Sequence, residues 1–219
     1  DFERALAPAL RGVAAVLAVS VAGTRVDRRF ARAVRAVIGV APRFVASTRR
    51  ACGVTNGYRE VWRLGADRWV AAIGGYAHPA RRARAVCVVD VGTATTIDLV
   101  DVAGRHRGGA IIPGPALMVE SLLRETGGIR RRAGGHGPRS AKSLFARSTR
   151  EALEAGALHA VAAAIDRARL EARAITGAAP LLLLTGGAAS EVHPYVGAAH
   201  SVIPDLVLRG LAALAAPLS

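Results

Sequence analysis

VVDVGTATTIDLVD, residues 88–101, reads as a strand, a polar turn and a second strand. Ala85 to Val89 (AVCVV) is a short, continuous apolar run, the length of a strand buried on both faces. Asp90 to Thr96 (DVGTATT) reads as a tight polar turn, and Ile97 to Val102 (IDLVDV) as the returning strand. Gly104 with Arg105 forms the next hairpin turn, and His106 to Ile112 a third strand that ends at Pro113-Gly114-Pro115. Ala116 to Glu125 then reads as a helix and Gly127 to Arg139, rich in Gly and Arg, as a mobile loop. Ser148 to Ala174 is a long helical stretch, Leu181 to Leu184 a strand running into Thr185-Gly186-Gly187-Ala188, and Leu206 to Leu214 a final helix.

Upstream, the pattern predicts helices over Phe2 to Leu10, Asp27 to Ile38 and Asp67 to Ile73. Ala15 to Ala22 and Arg43 to Ala46 read as strands, and Cys52 to Leu64 as a loop. Strands, hairpins and helices in this order make a mixed α/β domain with helices on a sheet.

Composition narrows the function classes. The chain has 219 residues, 52% hydrophobic and only 4% aromatic, so Ala, Val and Leu fill its core and disorder is excluded. No apolar run approaches the roughly 20 residues that span a bilayer, and no signal peptide is visible. The formal charge of +14 comes almost wholly from arginine, Lys142 being the single lysine, and its field favours anions such as nucleotides. A nucleic-acid role lacks support: there is no helix-turn-helix signature, no RNP motif and no basic stripe of stacking aromatics. Cys52 and Cys87 lie far apart, without a zinc pattern, which fits a reduced, cytoplasmic setting with Cys87 as a buried small hydrophobe. The six histidines are scattered and read as surface or loop residues.

Three short motifs could carry chemistry. In Asp90-Val-Gly-Thr93, an acidic residue ends a strand and Gly92 with Thr93 opens a turn whose N–H and hydroxyl groups can meet an anion. Asp90 can hold a hard cation, and the same pattern also suits an ordinary Asx-type hairpin turn. In Gly65-Ala66-Asp67-Arg68, Asp67 is either a helix N-cap or a carboxylate general base beside a guanidinium that binds a carboxylate substrate. In Thr185-Gly186-Gly187-Ala188, the glycines let the backbone pass close to a flat ligand such as adenine, or simply turn the chain. There is no GxSxG elbow, Walker A loop or GxGxxG.

Taken together, the chain resembles the type III pantothenate kinases of the acetate and sugar kinase/Hsp70/actin superfamily. The resemblance rests on six segments in order: GVTNGYREVWRLGADRW (53–69), VVDVGTATTIDLVD (88–101), GGAIIPGPALM (108–118), STREALEAG (148–156), LLTGGAA (183–189) and PDLVLRGLA (204–212). It implies two ribonuclease H-like (actin-like ATPase) halves with mixed sheets flanked by helices. Residues 1–84 would form an N-terminal half, incomplete at its start, and residues 85–219 the C-terminal half with the phosphate and adenosine motifs. It implies transfer of a phosphoryl group from ATP to the 4′-hydroxyl of pantothenate, the first step of coenzyme A synthesis. Asp67 would be the general base, and Tyr58, Gly65, Ala66, Arg68 and Thr149 would line the pantothenate site with it. Asp90 would bind a monovalent cation, potassium or ammonium. Thr93, Gly186 and Gly187 would meet ATP, which brings Mg²⁺. The resemblance also implies a homodimer with pantothenate bound at the subunit interface.

One element of that pattern is missing. The family opens on a strand and a DxGNT-type phosphate loop, and no such segment occurs here; the expectation is an incomplete copy of a longer protein. The alternative is a catalytically inactive relative, like the Bvg accessory factors, that binds ligand or regulates without turnover.

Overall fold

The computed structural model describes residues 6–134 and 143–216. In its first part, β1 (Leu17–Ala18) pairs in parallel with β2 (Arg43–Phe44) across helix α1 (Thr24–Ile38). A small antiparallel ribbon of β3 (Arg50–Ala51) and β4 (Val54–Thr55) follows, then α2 (Ala66–Tyr76). The second part holds β5 (Val86–Val91), β6 (Ala94–Val100), β7 (His106–Pro113), α3 (Pro115–Glu125), α4 (Gly127–Arg132) and α5 (Thr149–Thr176). It ends with β8 (Leu181–Thr185), α6 (Ala189–Val192), β9 (Ser201–Val202) and α7 (Leu206–Ala215).

The five strands β5 to β9 make one mixed sheet in the order β7-β6-β5-β8-β9. β5 pairs antiparallel with β6 and parallel with β8, so it lies at the centre. Alternation along the strands sorts the core into two layers. Val86, Val88, Val100, Leu181 and Leu183 face Leu64, Trp69, Ala72, Ile73 and Leu206, which belong to α2, the turn before it, and α7. Cys87, Val89, Val91, Leu182 and Leu184 face Val161, Ala162 and Ile165 of α5. With both faces covered, β5 and β8 are apolar until their C-terminal ends, which is why Val86 to Val89 and Leu181 to Leu184 show no alternation.

The helix ends follow local chemistry. Ser148 caps α5, its Oγ accepting from the Glu151 N–H at 3.3 Å, and Gly177 closes the helix in the left-handed region at φ 77°. Pro115 opens α3 in its first turn, where a missing N–H costs nothing. No helix among the described residues is long and apolar enough to cross a membrane.

The structure differs from the sequence reading at several ends. β5 continues through Asp90 to Val91, and β6 starts at Ala94, so the polar turn shrinks to Gly92 and Thr93. Cross-strand pairing of Asp90 with Thr96 and of Val91 with Thr95 carries the hairpin beyond the apolar residues. Gly127 to Arg132 is helical rather than a loop, and residues 135–139 of that segment lie outside the described residues. The strand expected over Ala15 to Ala22 is ordered as a ladder only at Leu17–Ala18, and Arg43 to Ala46 only at Arg43–Phe44. The loop expected over Cys52 to Leu64 contains β4 and a 3₁₀ turn, Val61–Arg63. Helix α1 begins at Thr24, three residues before Asp27. Of the expected first helix, residues 2–5 lie outside the described residues and residues 7–10 form turns. Cys87 is buried, as expected.

α2 and α7 cross with their backbones in contact. A Cβ on Gly74 would lie 2.4 Å from the Leu206 carbonyl oxygen, and one on Gly210 would lie 2.0 Å from the Val70 carbonyl oxygen. Backbone cannot yield as a side chain can, so Gly210→Ala is expected to destabilise the fold by about 1–3 kcal/mol, read as a lower urea midpoint at unchanged slope.

Candidate active site

The sheet ends and the start of α2 converge on two carboxylates. Asp90 sits at the C-terminal end of β5, flanked by Thr96 of β6 and Thr185 of β8. Asp67 lies in the first turn of α2, with Gly65 at the helix boundary. The N-cap role open to Asp67 therefore falls to Gly65, while Asp67 Oδ1 accepts from the Arg68 N–H at 2.8 Å. A Cβ on Gly65 would lie 2.6 Å from that same Oδ1, so the carboxylate folds back into space only glycine leaves.

Burial pushes the Asp90 carboxyl above its usual range, and the charge of Asp67 pushes it further. Among the described residues neither carboxylate is ion-paired with a basic side chain. A half-buried anion in the field of a second anion gains from a nearby cation, so Asp90 fits a cation-binding role. The described residues contain no cluster of three or more His, Cys, Asp or Glu that could cage a metal.

The glycine-rich turn after β8 is built around Asp90. Gly186 has φ 95°, and a Cβ there would lie 2.3 Å from Asp90 Oδ1 and 2.5 Å from the Val91 carbonyl oxygen. The Ala188 N–H donates to that carbonyl at 2.9 Å. Gly186 thus presses the turn against β5, whereas a Cβ on Gly187 would meet nothing within 4 Å. On the other side, the Gly114 N–H donates to the Thr93 carbonyl oxygen at 2.8 Å, seating the start of α3 on the tip of the β5–β6 hairpin. Thr93 itself is exposed at that tip.

Arg68 is only 5% exposed and already engaged. Its Nε donates to Asp98 Oδ2 at 2.9 Å, its Nη2 to Asp98 Oδ1 at 2.7 Å, and its Nη1 to the Tyr58 hydroxyl at 3.1 Å. Burial opposes its charge, but the hydrogen bonds and field of Asp98, helped by Tyr58, hold its pKa above the ordinary arginine value. Three of the five guanidinium N–H groups are used, which leaves two for a ligand. His106 is buried as well, contrary to the surface or loop position expected for it, because it faces Asp98 across the β6–β7 hairpin. Removing one member of such a buried ion pair leaves the other uncompensated, at a cost of about 3–5 kcal/mol.

Arg49 and Asn56 order the loop that carries Tyr58. Arg49 donates to the carbonyl oxygens of Asn56, Tyr58 and Arg59, and the buried Asn56 accepts from the Tyr58 N–H at 2.9 Å. Ala66 opens α2 between Gly65 and Asp67. Thr149 lies elsewhere, lining an apolar cleft of about 500 Å³ between α3, α4 and α5 with Met118, Leu122 and Leu153. Sequence reading missed Asp98, His106, Arg49 and Asn56. The available signal was Asp98 itself, a charge inside the otherwise apolar strand Ile97 to Val100, which demands a buried partner.

A family model described as type III pantothenate kinase matches residues 2–170. The chain belongs to the type III pantothenate kinase family. It is 37% identical over 202 residues to the type III pantothenate kinase of Verminephrobacter eiseniae, covering 91% of this chain and 76% of the relative. It is 40% identical over 179 residues to that of Methylibium petroleiphilum, covering 81% and 68%. A crystal structure of a conserved Baf family protein from Campylobacter jejuni superposes with a TM-score of 0.52 at 22% identity, over 80% of this chain and 69% of that one, which shows a common fold. In this fold the turn holding Gly186 and the hairpin tip holding Thr93 meet beside Asp90 at one end of the sheet.

The raised Asp90 pKa fixes the sign of a stability test. The folded state holds the Asp90 proton more tightly than the unfolded state, so stability falls as pH rises from the ordinary value of 3.8 through the folded-state value. Asp90→Asn is therefore expected to raise the thermal midpoint of the unliganded protein at about pH 7, with the gain shrinking at about pH 4.

Proposed function

We propose that this chain catalyses the ATP-dependent phosphorylation of pantothenate to 4′-phosphopantothenate, the first step of coenzyme A biosynthesis. Membership of the family supports the reaction. The single structural observation that carries the reading is a pair of carboxylates without ion-pair partners among the described residues, Asp67 on the helix and Asp90 at the sheet end, near enough that the charge of Asp67 raises the Asp90 pKa.

In this reading Asp67 is the general base. Its Oδ1 accepts from the Arg68 N–H, so Oδ2 takes the proton of the 4′-hydroxyl as the hydroxyl oxygen bonds to the γ-phosphorus and the bond from that phosphorus to the β,γ-bridging oxygen breaks, releasing ADP. Phosphoryl transfer asks mainly for positioning and for neutralisation of charge. The two unused N–H groups of Arg68 and the Tyr58 hydroxyl hold pantothenate, with Gly65 and Ala66 as the backbone wall beside it. A potassium or ammonium ion at Asp90 and the Mg²⁺ that accompanies ATP supply positive charge against the phosphates. Thr93 and the open face of Gly187 line the nucleotide side, and Gly186 shapes that side by letting the turn close on Asp90. Family membership supports a cytoplasmic homodimer in which Thr149, on its apolar cleft, reaches the pantothenate site at a subunit interface.

A coupled ATP-turnover assay with pantothenate, in potassium and in sodium, tests the reading. Turnover that needs pantothenate and rises with potassium is the expected result; ATP binding with no pantothenate-dependent turnover in either salt would overturn it. Asp67→Asn is expected to lower kcat by about 10²–10⁴-fold while ATP binding persists, measured by turnover and calorimetry on one preparation. Gly187→Ala should raise the KM for ATP with little change in thermal midpoint, and Gly186→Ala should lower the midpoint because its Cβ meets Asp90 and Val91.

A further inference from the structure

We propose that Asp98, with His106 behind it, is a positioning residue for this reaction: it anchors Arg68 and, through Arg68, sets where the Asp67 carboxylate stands against the β5–β6 hairpin. The inference rests on the reading of Asp67 as the base.

Asp98 and His106 are each 2% exposed, between α2 and the sheet, where an ionised group is costly unless every polar atom is matched. Asp98 comes close to that condition. Oδ2 accepts from Arg68 Nε, and Oδ1 accepts both from Arg68 Nη2 and from His106 Nε2, each at 2.7 Å. A carboxylate that binds a guanidinium in this two-pronged way only accepts, so His106 is the donor through Nε2. His106 Nδ1 is buried with no partner among the described residues, so the ring's one polar contact is the Asp98 oxygen.

The surrounding backbone leaves room for this trio and for little else. A Cβ on Gly109, opposite Asp98 on β7, would lie 2.5 Å from Asp98 Oδ1 and 2.6 Å from Arg68 Nη2. A Cβ on Gly57 would lie 1.9 Å from the His106 carbonyl oxygen.

The trio reaches the reacting carboxylate by a short path. Arg68 follows Asp67 in the chain, and its N–H holds Asp67 Oδ1. Asp98 lies two residues along β6 from Thr96, the partner of Asp90 in the ladder. The trio therefore ties the first turn of α2 to the strand pair that carries Asp90 and Thr93, and so fixes the gap between the two carboxylates. Apolar residues of the same volume would hold α2 on the sheet as firmly as a buried ion pair does. What the polar trio adds is direction: bidentate geometry admits one placement of the Arg68 side chain. A displacement of about 1 Å at a reacting group can cost 10²-fold in rate.

The test uses the full chain and four measurements: kcat, the KM of each substrate, the thermal midpoint and a crystal structure. Asp98→Asn is expected to lower kcat by about 10²-fold while the KM for ATP stays within about twofold. His106→Ala should lower kcat by about tenfold, and His106→Gln, whose amide can donate to Asp98 Oδ1, should recover most of that loss. In an Asp67→Asn background, Asp98→Asn should add less than about twofold, because it acts through Asp67. Full multiplication of the two losses would overturn the proposal, as would equal activity of the alanine and glutamine variants. If Asp98→Asn does not fold, the His106 pair carries the same comparison. If the wild-type chain gives no pantothenate turnover, the reading of the reaction fails, and the crystal structures of the Asp98 or His106 variants decide the positioning role alone. Arg68 and Asp67 displaced from their wild-type places would support it, and both unmoved would overturn it.

Discussion

A buried charge constrains the rest of this structure. Asp98 lies on β6 on the side that faces α2, in the strand's apolar end with Ile97, Leu99 and Val100 around it. A carboxylate in that position is tolerated only with a cation against it, and Arg68 supplies the cation from the first turn of α2. The pair fixes the rotation and height of α2 on the sheet. Asp67, Gly65 and Ala66 take their places from that setting, as does Trp69, which packs into the apolar layer beneath.

The sheet provides the complementary constraint. β5 has α2 and α7 on one face and α5 on the other, so its central residues are apolar without interruption. Polarity is tolerated again only where the strand emerges from between the layers, and there the chain places Asp90, with Thr96 and Thr185 on either side. The chemistry sits at the carboxyl end of the central strand because that is where burial ends and backbone groups become available to a ligand. Gly186 and Gly114 let two neighbouring turns close on the same end, one behind Asp90 and one behind the hairpin tip.

Much of this was legible in the residues. The apolar runs Ala85 to Val89 and Leu181 to Leu184 announced central strands, and the helical stretch from Ser148 to Ala174 announced the long helix, which the structure ends at Thr176. The motifs around Asp67, Asp90 and Gly186 stood out because small and acidic residues interrupt otherwise apolar segments. The strand ends did not stand out. Asp90 and Thr96 are polar, and a polar residue reads as a turn, yet ladder hydrogen bonds hold both in the sheet regardless of side chain. Gly127 to Arg132 read as a loop for its glycines and is helical, because packing against its neighbours outweighs weak local propensity.

By itself the sequence determined where the central strands and the long helix run, and which acidic and glycine residues stand near their ends. These are local properties, set by side-chain shape and by the periods of helix and strand. Only the tertiary structure decided that Arg68 is spoken for by Asp98 and Tyr58, that His106 is interior, and that the charge of Asp67 bears on Asp90. Those facts depend on contacts between residues up to 30 positions apart, such as Arg68 with Asp98. No local period encodes such contacts. They arise when a helix and a sheet bury their apolar faces together and every charge trapped between them must find its partner.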